Sequence, residues 1–212
     1  MVRPDIKEFI NTIPQDVTIV AASKYVDEKD IETLLDVGIN NIGENRVESF
    51  IEKHDKLKHL PIIWHFIGHL QRNKLNKVID KIDYLESLDS LKLAEMINSK
   101  RTKPLKCFVE ISINLEENKS GVPYYEAKEF IEKLLQYKNI ELVGLMMMAI
   151  NNSDENSLNT QFAKLRDLRD TLEKELNVSL PYLSMGMSED YQYAIKNGAT
   201  HIRLGRILFN LL

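Results

Sequence analysis

Short runs of β-branched and apolar residues alternate along this 212-residue chain with longer amphipathic segments. Eight of these runs predict strands, at residues 17–22, 41–42, 62–67, 84–86, 106–113, 142–147, 182–184 and 202–204. The amphipathic segments predict helices at residues 27–37, 44–56, 74–81, 90–99, 124–137, 154–176 and 188–196. Strands that alternate with helices are typical of α/β proteins, in which helices cover a parallel sheet.

Eight strands that each lead towards a helix are what a closed (β/α)8 TIM barrel requires. A doubly wound open sheet uses the same local pattern, so the alternation alone leaves it open. The chain length fits one domain over residues 1–212, and no stretch resembles an interdomain linker. In either architecture, functional side chains are expected at the carboxyl edge of the sheet, where strands end and loops begin.

Capping residues predict where several helices begin and end. Gly38 and Gly198 follow helical segments at the positions that C-cap glycines occupy. Short polar side chains precede other segments and predict N-caps at Asp27, Ser90, Ser153 and Ser188.

Net charge and cysteine content limit which molecules the protein is expected to bind and in which cellular compartment it is expected to work. The chain has 28 Lys and Arg against 32 Asp and Glu, a net charge of −4, which favours neither nucleic acid nor an anionic membrane as a partner. The single cysteine, Cys107, cannot form an internal disulfide, and its apolar neighbours predict a buried side chain. No apolar stretch reaches the roughly 18–20 residues that span a bilayer, so we expect a soluble cytoplasmic protein.

A lysine ends the first predicted strand. In the string VAASKYV, Lys24 places an amine where a buried strand meets its loop. Such a lysine can be structural, because its stem packs on apolar surface while its amine reaches water. It can also be a Schiff-base nucleophile, because partial burial disfavours the ammonium and leaves a neutral amine that attacks an aldehyde.

The last two predicted strands end in loops suited to a phosphate. The strings LSMGMS and RLGR place small residues between a strand and a helical segment, where backbone N–H groups and the helix dipole can hold an anion. Ser184, Gly186, Ser188 and Gly205 occupy these loops, although each could be an ordinary turn residue. In a closed barrel the first strand lies beside the last, so Lys24 would face this cradle.

Seven strings occur in order along the chain: AASK, GENRVES, WHFIGHLQRNK, KSG, GLMMMA, LSMGMSEDY and IRLGRILF. Together they resemble the pyridoxal 5′-phosphate homeostasis protein family, also called the YggS or PROSC family. The resemblance covers nearly the whole chain. It implies a TIM barrel similar to the N-terminal domain of alanine racemase, with pyridoxal 5′-phosphate (PLP) as the cofactor.

The resemblance also implies roles for particular side chains. Lys24 looks like the Schiff-base lysine, and Arg203 looks like the partner of the pyridine nitrogen. The other implied cofactor-binding residues are the phosphate residues Ser184, Gly205 and Arg206 and the pocket residues Asn45 and His65. Two positions depart from the family pattern, because Met147 stands where Thr, Ala or Cys is common and Arg206 stands where a hydroxyl side chain is common.

An arginine beside the ring nitrogen limits the chemistry that PLP supports. Because arginine stays protonated, the ring nitrogen remains unprotonated and the cofactor is a weak electron sink, which disfavours aminotransfer and decarboxylation. Racemisation survives this objection, because the alanine racemases that the chain resembles also use an arginine there. They need a second base, supplied from another subunit and shaped by a second domain, and we expect the chain to be too short to hold that domain. The leading hypothesis is therefore a monomeric PLP carrier or buffer that serves apo PLP-dependent enzymes and has no catalytic residue of its own.

Two alternatives to the carrier stay open. One is a weak PLP-dependent amino-acid racemase, and the other is a barrel in which Lys24 is structural and the glycine loops are only turns. A zinc site is not predicted, because the histidines are too scattered in sequence to form a short metal motif. They are His54, His59, His65, His69 and His201.

Overall fold

The computed structural model describes residues 1–113 and 120–209. Eight parallel strands alternate with helices and close into a ring. In chain order the strands are β1 (Thr18–Ala22), β2 (Asn41–Glu44), β3 (Ile63–Phe66), β4 (Tyr84–Leu88), β5 (Leu105–Ser112), the two-residue β6 (Val122–Pro123), β7 (Ile140–Met146), β8 (Tyr182–Met187) and β9 (His201–Leu204). β6 pairs with β5 and stands outside the ring of eight.

Strand pairing confirms the barrel and excludes the open sheet. β1 pairs in parallel with both β2 and β9, so the first and last strands are neighbours. The pairing of β4 with β5 completes the ring, since the remaining strands follow in the order β4-β3-β2-β1-β9-β8-β7-β5. The carboxyl ends of all eight strands therefore meet at one face of the molecule.

Helices follow the predicted alternation, with differences mainly at their ends. They are α1 (Ile6–Asn11), α2 (Glu28–Asp36), α3 (Val47–Leu57), α4 (Leu75–Val78), α5 (Leu91–Lys100), α6 (Ala127–Leu134), α7 (Glu155–Leu176) and α8 (Tyr191–Lys196). Short 3-10 turns, Arg72–Lys74 and Tyr124–Glu126, precede α4 and α6 and shorten the α-helical part of the predicted segments. α1 and β6 lie outside the segments that the sequence predicted.

The predicted caps of α2 and α5 are confirmed. The Asp27 side chain accepts a hydrogen bond from the Asp30 N–H at 3.0 Å, and the Ser90 hydroxyl accepts from the Leu93 N–H at 3.3 Å. Gly38 and Gly198 have φ angles of 88° and 93°, the left-handed region in which glycine avoids a steric penalty.

Two predicted N-caps are wrong. Asp154, one residue after Ser153, caps α7 by accepting a hydrogen bond from the Ser157 N–H at 2.8 Å. α8 begins after Asp190, three turn residues later than the segment that Ser188 was predicted to cap. In both places a carboxylate stands at the cap position. The Ser153 hydroxyl donates to the Ile150 carbonyl in its own loop, and the Ser188 hydroxyl accepts from the Gly205 N–H in the loop after β9.

The aromatic side chains of β3 alternate between the two faces of the barrel wall. Trp64 and Phe66 are buried and meet the Phe50 ring of α3 edge-on, with ring centroids 5.4 and 6.4 Å apart. His65 points the other way, into the barrel, where it stacks on Tyr84 at 4.4 Å. The strand period of two thus confirms the prediction that Trp64 and Phe66 pack between barrel and helices.

No helix in the described residues is long and apolar enough to cross a bilayer. Over the same residues, no cluster of three or more His, Cys, Asp or Glu side chains is placed to hold a metal ion.

Candidate functional site

A cavity of about 520 Å³ opens at the carboxyl end of the barrel. It is bounded by the loops that follow β1, β7, β8 and β9. Four of the predicted site residues line it, namely Lys24, Arg203, Gly205 and Arg206. They meet because β1 and β9 are paired, with Ala21 opposite Leu204.

The backbone before Lys24 is held by a buried ion pair. Lys53 of α3 donates to the Ser23 carbonyl and, at 2.7 Å, to the Glu44 carboxylate. The Ser23 hydroxyl donates to the same carboxylate at 3.2 Å, and the Ser23 N–H donates to the Gly43 carbonyl at 2.9 Å. Ser23 and Glu44 are fully buried and Lys53 is nearly so. The strand end that carries Lys24 therefore has little freedom to move.

Sequence reasoning missed Lys53, although a signal was present. Phe50, Lys53 and Leu57 share the buried face of α3, at the spacing of an apolar helix stripe. A charged residue in such a stripe needs a buried partner, because an unpaired charge is costly inside a protein. That partner, Glu44, lies nine residues earlier at the end of β2.

Lys24 itself is exposed, whereas the sequence argument expected partial burial. Its amine lies 4.7 Å from the centroid of the neighbouring Tyr25 ring, which is also exposed at the cavity wall. The amine is therefore accessible to a molecule that enters the cavity, and any further burial would come from that molecule.

Arg203 is anchored in the cavity floor. One terminal nitrogen donates to the Ser184 hydroxyl at 2.6 Å and the other donates to the Met147 carbonyl at 2.8 Å. The residue is 5% exposed, and its burial lowers the pKa of the guanidinium, opposed by the charge of Glu86. These two bonds leave further N–H groups of the planar fork available for a ligand. Arg203 bonds to the backbone carbonyl of Met147, so the replacement of the common Thr, Ala or Cys by Met at this position leaves the bond in place.

Ser184 lies below the cavity. Its hydroxyl accepts from Arg203 and donates to Glu86 at 2.6 Å, and the residue is fully buried. Ser188, and not Ser184, places its hydroxyl at the Gly205 loop. This hydroxyl accepts hydrogen bonds from the N–H groups of Gly205 at 3.2 Å and Ile207 at 3.4 Å. Ser188 lines the cavity, so it is better placed than Ser184 to contact an anion there.

Arg206 projects from the cavity rim. Its guanidinium pairs with the Glu189 carboxylate, and both side chains are largely exposed. The charge of Arg206, which stands where a hydroxyl side chain is common in the family, is therefore already paired. The backbone of Gly205 and Arg206 still forms the turn at the cavity wall, in which the Leu208 N–H donates to the Gly205 carbonyl at 2.9 Å.

Asn45 follows the carboxyl end of β2 and His65 lies on β3, and neither residue lines the cavity. The Asn45 side-chain oxygen is buried and has no hydrogen-bond partner among the described residues. Gly68 packs so closely against Asn45 that an added Cβ would lie 2.3 Å from the Asn45 carbonyl oxygen. An unsatisfied buried acceptor costs about 1–3 kcal/mol, so this oxygen suits a donor from a ligand. His65 is fully buried, with its Nδ1 2.6 Å from Glu86 and its Nε2 2.9 Å from the Asn41 side-chain oxygen.

Comparison with known proteins places this barrel in a family. The family model described as the alanine racemase N-terminal domain matches residues 16–212. The pyridoxal phosphate homeostasis protein of Aquifex aeolicus is 39% identical over 194 residues, which cover 90% of this chain and 85% of that protein. The protein of the same name from Synechocystis is 36% identical, with 95% of this chain and 94% of that protein covered.

A solved structure supports the same assignment. PipY of Synechococcus elongatus, in a structure with PLP bound, is 30% identical and superposes with a TM-score of 0.88, covering 96% of this chain and 99% of that one. The family model, the sequence relatives and this structure agree over almost the whole barrel. The chain therefore belongs to the pyridoxal phosphate homeostasis protein family, built on the alanine racemase N-terminal domain fold.

Proposed function

We propose that this protein binds PLP as a Schiff base on Lys24 and contributes to intracellular PLP homeostasis as a carrier or buffer. One observation carries the proposal: Lys24, Arg203 and the Gly205 loop line a single cavity at the carboxyl end of the barrel. PLP supplies an aldehyde, a phosphate and a pyridine nitrogen, and this cavity offers a group of matching chemistry for each. The names of the relatives and the PLP-bound PipY structure support the same cofactor.

Lys24 is the proposed nucleophile. Its neutral amine condenses with the aldehyde, so that one C=N bond forms and one water molecule leaves. The proton that the ammonium loses beforehand goes to solvent, which reaches this exposed side chain. The same exposure leaves the bond open to water and to other amines, as a carrier that releases its cargo requires.

The remaining polar groups are proposed to hold the two ends of the cofactor. We place the phosphate beside the Ser188 hydroxyl and the backbone N–H of Arg206, because the Gly205 and Ile207 N–H groups already donate to Ser188 and the Arg206 side chain is paired with Glu189 at the rim. Arg203 donates to the ring nitrogen, and Ser184 holds Arg203 in place. The side-chain oxygen of Asn45, which has no hydrogen-bond partner among the described residues, is proposed to accept a hydrogen bond from the cofactor.

The carrier assignment rests on the weak electron sink that an arginine partner produces. Arg203 donates a hydrogen bond but does not transfer its proton, so the ring nitrogen draws electrons poorly. The relatives are named homeostasis proteins rather than enzymes. We expect a monomer in the cytoplasm that delivers PLP to apo-enzymes, and we assign no catalytic residue.

The first experiment identifies the bond. The purified protein is mixed with PLP, its visible absorption is recorded, and the borohydride-reduced product is mapped by peptide mass spectrometry. The adduct is expected on Lys24 and is expected to vanish in Lys24→Met, while the control Lys29→Met, at an exposed position on α2, retains it. An adduct that moves to another lysine in Lys24→Met, or no binding at saturating PLP, would overturn the proposal.

A second experiment separates carrier from enzyme. The PLP-loaded protein is incubated with an apo-aminotransferase, either mixed directly or across a dialysis membrane, and the recovered activity is measured. Candidate amino acids are also incubated with the loaded protein in heavy water. A carrier restores the apo-enzyme without exchanging the Cα hydrogen, whereas exchange that depends on Lys24 would favour the racemase alternative.

A further inference from the structure

A hydrogen-bonded chain of buried charged groups runs through the barrel interior beneath the cavity. It begins at Arg203 on β9, passes through the Ser184 hydroxyl on β8 at 2.6 Å, and reaches Glu86 on β4 at 2.6 Å. The other carboxylate oxygen of Glu86 meets the His65 Nδ1 at 2.6 Å. Glu86 and His65 have fully buried side chains, and Arg203 is 4% exposed at its side chain. Glu86 and His65 cannot exchange their partners for water without opening the barrel, whereas Arg203 reaches the cavity.

The chain fixes the direction of its hydrogen bonds. Arg203 only donates, so the Ser184 oxygen accepts from it and the hydroxyl hydrogen is left for Glu86. Glu86 is thereby an acceptor at the oxygen facing Ser184, with the Arg203 nitrogen 3.9 Å away. Burial alone would raise the pKa of Glu86, but the hydrogen bond and charge of His65 and the charge of Arg203 outweigh it and lower the pKa to about 2. Glu86 is therefore a carboxylate that accepts on both sides.

The neighbours of His65 settle which of its nitrogens carry hydrogen. The Asn41 amide nitrogen donates to the Asn40 side-chain oxygen at 3.0 Å, so the Asn41 oxygen is the atom turned towards the His65 Nε2. An oxygen acceptor faces one ring nitrogen and a carboxylate faces the other. An arrangement in which both nitrogens of His65 donate satisfies both acceptors, and it makes the ring an imidazolium.

We propose that Glu86 is a positioning residue, which holds Arg203 against the cofactor's ring nitrogen through Ser184 and shares its charge with a protonated His65. This inference rests on the proposed function of Arg203. The Glu86 carboxylate is shared between two cations, and the guanidinium of Arg203 stays protonated, which further opposes protonation of the ring nitrogen. His65 thereby acts on the cofactor through Glu86 without contacting it.

Other titratable groups surround this chain but do not replace Glu86. The Glu110 carboxylate accepts from the Ser120 hydroxyl at 2.7 Å, and the Asp190 carboxylate accepts from the Met187 N–H at 2.5 Å. Around His65 stand Glu86, the stacked Tyr84 ring and, at 6.3 Å between centroids, His201. Burial lowers the pKa of His201 to about 4, so at neutral pH it adds no second positive charge beside His65.

The test compares Glu86→Gln with Glu110→Gln, a second buried glutamate that is not hydrogen-bonded to Ser184. The first readout needs no cofactor: nitrogen NMR of labelled histidine in the wild-type protein should show both His65 nitrogens protonated, and Glu86→Gln should leave one. The second readout is PLP binding, measured by visible absorption across a pH series. Glu86→Gln should weaken binding roughly tenfold to a hundredfold and shift the pH at which the absorption band changes. Glu110→Gln removes a weaker charge interaction with Arg203 and leaves the bonds through Ser184 intact, so its effect on both quantities should be clearly smaller.

Ser184→Ala provides a second variant in case Glu86→Gln does not fold. It cuts the link to Arg203 but keeps the carboxylate, so binding should weaken while His65 stays doubly protonated. A wild-type His65 with one protonated nitrogen would overturn the inference, as would PLP binding by Glu86→Gln or Ser184→Ala equal to that of Glu110→Gln. If the wild type binds no PLP, the proposed function fails, and the NMR result still decides the charge of His65.

Discussion

Replacement of Lys53 by Met should destabilise the fold and disturb the strand end that carries Lys24. The change removes the ammonium that pairs with Glu44 and holds the Ser23 carbonyl. Methionine keeps an unbranched stem of similar reach, so loss of packing is small. The Glu44 carboxylate, which is fully buried, is then left without its counter-ion.

The structure sets the size of this effect. Removing one partner of a buried ion pair costs about 3–5 kcal/mol, because the other charge stays buried and uncompensated. Glu44 keeps hydrogen bonds from the Ser49 hydroxyl at 3.0 Å and the Asn45 N–H at 2.9 Å, so we expect the lower end of that range. A loss of about 3 kcal/mol corresponds to a fall of roughly 6–12 °C in Tm for a domain of this size.

Urea unfolding and thermal melts, both followed by circular dichroism, measure the loss. The matched control is Lys56→Met, on the same helix, because Lys56 is half-exposed and pairs with Glu28 and Glu52 at the surface. Exposed pairs contribute little, so this variant should melt close to the wild type. The double variant Glu44→Gln/Lys53→Met should be more stable than Lys53→Met alone, because no unpaired charge remains in the core. Equal stability of Lys53→Met and Lys56→Met, or a double variant less stable than Lys53→Met, would refute the reasoning.

Three further predictions concern pH, thiol chemistry and anion binding. Urea titrations at a series of pH values should show the free energy of unfolding fall as the pH drops from 6.5 towards 4, because the folded state lowers the pKa of His201 from 6.5 to about 4. His201→Phe should abolish this fall. A second loss should follow between about pH 4.5 and 2 as Glu86 is protonated. The Cys107 thiol, whose pKa is raised by complete burial, should react with a disulfide reagent only after unfolding, and rapid reaction of the native protein would contradict its placement. Ser188→Ala should weaken PLP binding about tenfold, as expected for the loss of a hydrogen bond to a charged group. Arg206→Ala should change PLP binding little, because the Arg206 guanidinium is already paired with Glu189. A larger loss of binding in Arg206→Ala than in Ser188→Ala would show that the Arg206 side chain, and not Ser188, holds the phosphate.

Much of the fold could be predicted because its signals are local. The apolar run before Lys24 and the period of two in β3 depend on residues close in sequence, and the structure confirms both. The caps show where local reasoning ends. Ser153 and Ser188 are good N-cap residues by type, but Asp154 and Asp190 are good ones too, and the loop geometry decides between neighbours.

The candidate site was predictable to a different extent at each residue. Lys24 and Gly205 could be picked out by their place at strand ends, and the family resemblance added Arg203. The resemblance also named Ser184 for the phosphate, whereas the structure places its hydroxyl between Arg203 and Glu86 and brings Ser188 to the loop. Both serines lie in the string LSMGMS, and only the strand register and the turn after it show which one reaches the cavity.

By itself, the sequence determined the order and type of the elements, the amine at the end of the first strand and the family of the chain. Periodicity and strand-end composition carry that information between residues that are near one another in the chain. Only the tertiary structure decided which distant charges meet, because Ser184 and Glu86 are 98 residues apart and Lys53 and Ser23 are 30 apart. Their contacts depend on how the barrel closes and which way each strand turns its side chains, and a buried charge is tolerable only where that closure brings it a partner.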